Sequence, residues 1–128
     1  MALTIHVERR TGARVLVKLS GRLDVATYQQ CRNALEPVLS GVTRYLVFDL
    51  ADLDYISSMG LRVVLEARQA IEQKGGQVSL AHLQAPIRRV FEIAAVLPEE
   101  NIFTSVAEAD HYFDVIQAKV RTGGIHTP

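Results

Sequence analysis

The segment Tyr45-Leu46-Val47-Phe48-Asp49-Leu50 is apolar at all but one position, and the residues after it leave few folds open. It runs into the acidic stretch Ala51-Asp52-Leu53-Asp54-Tyr55-Ile56 and then into Ser57-Ser58-Met59-Gly60-Leu61. Unbroken apolar character predicts a central strand covered on both faces, with the acidic stretch as the loop after it. Helical spacing then sets in. Gly60, Val64, Ala67 and Ile71 form one stripe, with Leu61 and Leu65 beside it, and Gly75-Gly76 is a C-terminal stop. A helix starting near Ser58 places a hydroxyl beside backbone N–H groups that have no partner within the helix.

The rest of the chain repeats this alternation. Leu3, Ile5 and Val7, then Val15, Val17 and Leu19, alternate with polar residues around the turn signal Thr11-Gly12, which predicts a leading β-hairpin. Ser20-Gly21-Arg22-Leu23-Asp24 breaks the alternation. Asp24 then reads as the N-cap of a helix through Tyr28, Cys31, Leu35 and Val38, which Pro37 kinks or ends. Val78 to Ala81 reads as a strand. Pro86 opens a helix with Ile87, Val90, Phe91 and Ala94 on one face, and Pro98 closes it. Ile102-Phe103 reads as a short last strand. Ser105-Val106-Ala107-Glu108 has the form of a capping box for a final helix through Tyr112, Phe113 and Ile116. The expected order is ββαβαβαβα, an α/β fold. About five strands form one mixed sheet, packed with about four helices in a single domain over residues 1–120, and residues 121–128 form a flexible C-terminal tail.

Composition narrows the function. The chain has 128 residues, 48% of them hydrophobic, and its 14 basic residues balance its 14 acidic ones. That is enough chain for one core, and neutral charge without a basic run removes the electrostatic footprint of a nucleic-acid binder. No apolar stretch is long enough to span a bilayer, so no membrane insertion is expected. Nor does Met1-Ala2-Leu3-Thr4 begin a secretory signal. The single Cys31 fits a reducing, cytoplasmic setting.

A hydroxyl at a helix N-terminus can cap the helix, attack a substrate or accept a phosphate. Capping alone is worth about 1 kcal/mol. Catalysis has little support. The loop lacks a G-x-S-x-G elbow, and of His6, His82, His111 and His126 only His82 stands at a strand end. Asp49, Asp52 and Asp54 lack the glycine and distal glutamate of a calcium loop, and there is no zinc spacing. The expectation is therefore no enzyme, no metal and no cofactor. A phosphate at Ser58, by contrast, would meet unpaired amides and the positive end of the helix dipole. Its charge of about −1.5 to −2 would act on whatever docks there. Met59 would supply an apolar contact, and Asp52 and Asp54 further acidity.

The element order, Gly21-Arg22-Leu23-Asp24 after the second strand, and Tyr55-Ile56-Ser57-Ser58-Met59-Gly60-Leu61 together resemble the STAS domain family, in particular its stand-alone bacterial anti-sigma factor antagonists. Gly75-Gly76 before a strand and Ile87-Arg88-Arg89-Val90-Phe91 add to the likeness, which covers the chain from Leu3 to about Lys119. In that family the loop usually reads Asp-Ser-Ser/Thr/Ala-Gly-Leu-Gly, and an anti-sigma factor kinase phosphorylates the serine after the aspartate. The resemblance makes Ser58 the phosphoacceptor, with Ser57 as second choice because it stands where the aspartate is usual. Met59 replaces a small residue and Arg62 replaces the second glycine. The implied partner face comprises Asp24, Asp54, Ser57, Ser58, Met59, Gly60, Leu61 and Arg62. The implied function is partner switching. The unmodified form binds an anti-sigma factor with serine kinase activity, the phosphorylated form is released, and a protein phosphatase restores it. The alternative is a non-switching STAS scaffold subunit of a lipid-transport ABC system, which would use the same face permanently.

Overall fold

The computed structural model describes residues 2–96 and 106–122. Strands β1 (Leu3–Arg10) and β2 (Arg14–Leu23) form the expected antiparallel hairpin, turning through Gly12 and Ala13 at positive φ. Helix α1 (Tyr28–Ser40) leads to β3 (Tyr45–Ile56), and α2 (Ser58–Gln73) leads to β4 (Gln77–Ala81). Helices α3 (Ala85–Val96) and α4 (Val106–Arg121) complete the described chain. The strand order is β1-β2-β3-β4, with β3 parallel to both β2 and β4. The anticipated strand at Ile102-Phe103 and the signals at Pro98 and Ser105 lie outside the described residues, as do residues 123–128. Of the anticipated tail, Arg121 is the last residue of α4.

One row of the sheet shows how the core is built. Val7, Val17, Phe48 and Leu80 are register partners across all four strands, and their side chains share the face that the helices cover. Cys31, Leu35 and Val38 of α1 close over that face, as do Leu61, Val64, Ala67 and Ile71 of α2. Ile87 and Val90 of α3 and Phe113 and Ile116 of α4 join the same cluster. α1 packs on α2, α3 on α4, and α2 also on α4.

Three expectations need correction. β3 is central but covered on one face only: Leu46, Phe48 and Leu50 are buried, whereas Tyr45 is exposed and Val47 half-exposed. A run of apolar residues does not reveal that its odd members face an open sheet surface. Second, the acidic stretch is strand. Residues 51–56 remain in β3 because two register shifts against β2 keep Leu53 and Ile56 directed into the core. Third, Asp24 does not cap α1, whose N-cap position is Thr27. Asp24 closes a turn before the helix instead. Its carboxylate accepts from Ala26 N (3.0 Å), its N–H donates to Thr27 Oγ1 (2.9 Å), and its carbonyl accepts from Tyr28 N (2.8 Å). Pro37 lies within α1, which continues to Ser40.

Gly21 aims this turn. Its φ is +101°, and a Cβ there would stand 2.3 Å from the carbonyl oxygen of Ala2. A side chain would meet both the left-handed penalty and backbone that cannot yield. Gly21→Ala is expected to cost about 2–4 kcal/mol, read as a lower urea midpoint at unchanged slope.

Candidate functional site

The ends of β2 and β3 run side by side, and the two loops that come after them form the site. Ser57 N donates to Leu23 O at 2.9 Å, joining the loops through backbone. Ser57 is the N-cap of α2: its φ and ψ of −95° and 175° are extended, and its hydroxyl accepts from Gly60 N at 3.2 Å. Ser58 is thus the first helical residue, as the sequence pattern predicts, and the cap belongs to Ser57. Gly60 allows the fit. A Cβ there would lie 2.6 Å from Leu23 O and 2.7 Å from Leu23 Cγ, so α2 starts hard against the end of β2.

The predicted face separates into two layers. Asp24, Asp54, Met59 and Arg62 have surface exposed, Asp24 and Met59 only partly. Ser57, Ser58, Gly60 and Leu61 lie beneath, with Ser58 and Leu61 at 0% exposure. Gly60 and Leu61 therefore shape the face from below. Arg62 stands 3.8 Å from Glu66, which also pairs with Arg32 of α1 at 2.8 Å. The sequence reading missed Val25. At 68% exposed it is a bare apolar side chain beside Asp24, and its placement in a polar turn was the available signal.

It also missed the contribution of α4. The buried Gln117 accepts from Ile56 N (3.1 Å) and donates to Ile56 O (2.8 Å), as a neighbouring strand would. Tyr55 Oη donates to Asp114, and Arg121 donates to the carbonyl of Asp54. The Tyr55 ring also carries the Arg22 guanidinium, 4.0 Å above its centroid, and Arg22 Nε reaches Asp24 at 3.3 Å. A continuous chain thus runs from α4 through Tyr55 and Arg22 to Asp24. Asp114, Gln117 and Arg121 share one helical stripe, a spacing readable in sequence only once its target is known.

Of the histidines considered for catalysis, His82 is engaged outside the serine loop. His82, at positive φ, faces Asp49 at 3.2 Å. The Ala51 N–H, opposed by partial burial and seconded by His82, holds the Asp49 carboxyl below its ordinary range. Burial pushes the Cys31 thiol up to about 12, which makes it a core side chain. Among the described residues no three His, Cys, Asp or Glu side chains are placed to hold a metal ion, and no helix is long and apolar enough to cross a membrane.

The STAS domain profile matches residues 4–109. The chain belongs to the STAS domain family. Over 117 residues, 91% of its length and 99% of the relative's, it is 27% identical to the anti-sigma F factor antagonist of Paenibacillus polymyxa. Over 95 residues, 73% of this STAS chain and 88% of the relative, it is 29% identical to the anti-sigma-B factor antagonist of Staphylococcus aureus. Its fold is that of the Bacillus cell fate determinant SpoIIAA in the phosphorylated form, with a TM-score of 0.63 and 22% identity over 77% of this chain and 95% of that one. The unphosphorylated form of the anti-sigma factor antagonist SpoIIAA gives 0.62 and 23% over 70% and 83%.

Ser57 and Gly60 make separable contributions to this site. Ser57→Ala removes only the cap and is expected to cost about 1 kcal/mol. Gly60→Ala pushes α2 off Leu23 and should cost more, about 2–4 kcal/mol. Denaturant unfolding of both variants measures the order, and equal losses would contradict the close packing of Gly60.

Proposed function

We propose that this STAS protein is an anti-sigma factor antagonist that works by partner switching. The observation carrying the reading is the position of Ser58: the first residue of α2, with Ser57 as cap, beside the Asp24 turn. The names of the relatives place the chain among anti-sigma factor antagonists, and the lipid-transport scaffold reading has no comparable support. Unmodified protein binds an anti-sigma factor that is also a serine kinase, through Asp24, Val25, Met59 and Arg62. Phosphate on Ser58 adds about −1.5 to −2 charge next to Asp24 and Asp54, which drives off an acidic or apolar partner surface. The helix dipole and the first-turn amides lower the cost of that charge to the antagonist itself. A phosphatase restores the binding form. Because Ser58 is fully buried, its side chain must reach the surface before transfer can occur.

The test is affinity purification from the native cell with wild type and Ser58→Asp as baits, after circular dichroism confirms that both fold. A kinase-like ATPase retained by wild type and lost, by at least about tenfold in affinity, with Ser58→Asp is the expected result. The same transporter subunit on both baits would establish the scaffold alternative.

A further inference from the structure

A hydroxyl that receives a phosphate must be reached from solvent, and Ser58 has no exposed surface. The segment that has to move is residues 54–58. On one edge it pairs with β2 through Arg22↔Tyr55 and Leu23↔Ile56. On the other edge β4 stops short, since its register with β3 covers only residues 45–49. Among the described residues no strand flanks residues 50–56 on that side. Backbone groups on a strand edge that is buried need partners, and α4 supplies them. Gln117 satisfies both polar groups of Ile56, Arg121 takes the carbonyl of Asp54, and Asp114 takes the Tyr55 hydroxyl. Three side chains on one helical stripe thus hold three successive residues immediately before Ser57.

We propose that α4 is the gate of the phosphoacceptor site, with Gln117 as the positioning residue and release of the Asp114, Gln117 and Arg121 stripe as the motion that brings Ser58 to the surface. The proposal rests on Ser58 being the acceptor. Opening along this edge leaves the pairing of β2 with β3 before Asp54 and the packing of α1 on α2 in place, so it is local. Water replaces each contact once the edge is exposed, so the opening is reversible. The link from Tyr55 through Arg22 to Asp24 carries the same motion into the neighbouring turn, where a docked partner would sense it.

Thiol labelling tests the gate without any kinase. Ser58→Cys places a reporter at the acceptor, and native Cys31, buried in α1, reports global unfolding in the same molecule. Labelling by a small maleimide, read peptide by peptide by mass spectrometry, is slow at both sites while Gln117 is intact. Adding Gln117→Leu is expected to speed labelling at position 58 by about tenfold, the loss of roughly one buried hydrogen-bonding group, with Cys31 still labelling far more slowly than position 58. Equal rates at the two sites would mean that position 58 is reached only by global unfolding, and no rise at position 58 would mean that α4 is not the gate. The double change Asp114→Ala, Arg121→Ala alters exposed contacts only and should raise the rate at least about threefold. An unchanged rate in that variant overturns the proposal whether or not Gln117→Leu folds. A gate that behaves as expected beside a Ser58 that no kinase modifies would leave the gate standing and remove the functional reading.

Discussion

The start of α2 and the end of β2 approach more closely than any pair with a side chain between them could. Gly60 lets the first turn of α2 rest on the Leu23 carbonyl, and the Ser57 N–H donates to that same carbonyl. Everything at the site depends on this contact. It draws the Asp24 turn alongside the serine pair, and it buries Leu61 at the base of the helix. It also fixes which serine caps and which stands one residue further in. An alanine at Gly60 would push the two loops apart, so the residue serves the site as well as the stability of the fold.

Where the sequence reading succeeded, it did so because a periodic signal and a local chemical signal agreed. The hairpin had strict alternation on either side of Thr11-Gly12. α2 had a helical stripe that began at a serine pair and ended at a glycine pair. Where it failed, the deciding information lay in another part of the chain. The acidic residues Asp52 and Asp54 resemble a loop, yet β2 offers a register with two irregularities that keeps Leu53 and Ile56 inward. Asp24 has the chemistry of a cap. Thr27, three residues on, competes for its backbone N–H and converts the cap into a turn. Gln117 was invisible for a similar reason: beside Phe113 and Ile116 it reads as the polar margin of an amphipathic helix. Only the unflanked edge of β3 gives it a role.

On the proposed reading, two electrostatic arguments meet at Ser58 and act on different steps. The dipole and first-turn amides at the α2 N-terminus favour a phosphate that has already been added. Burial opposes its addition, because the hydroxyl is out of reach and an unsolvated charge is expensive. A site with only the first property would be open to modification at all times. One with only the second would resist it. With both, the resting protein is protected and the modified protein is tolerated. The rate of conversion is then set by how often the surrounding structure opens.

On the same reading the control of timing lies in α4, an element the site's own residues do not include. The strength of hold depends on neutral hydrogen bonds to backbone at Ile56 and on exposed charge-assisted hydrogen bonds made by Asp114 and Arg121. Substitutions along the stripe would therefore tune how readily Ser58 is modified without touching the surface a partner reads. Substitutions at Val25, Met59 or Arg62 would change the partner without changing the gate. Recognition and access would then be carried by different elements of one small domain, and the Arg22–Tyr55 stack is a contact through which each can influence the other.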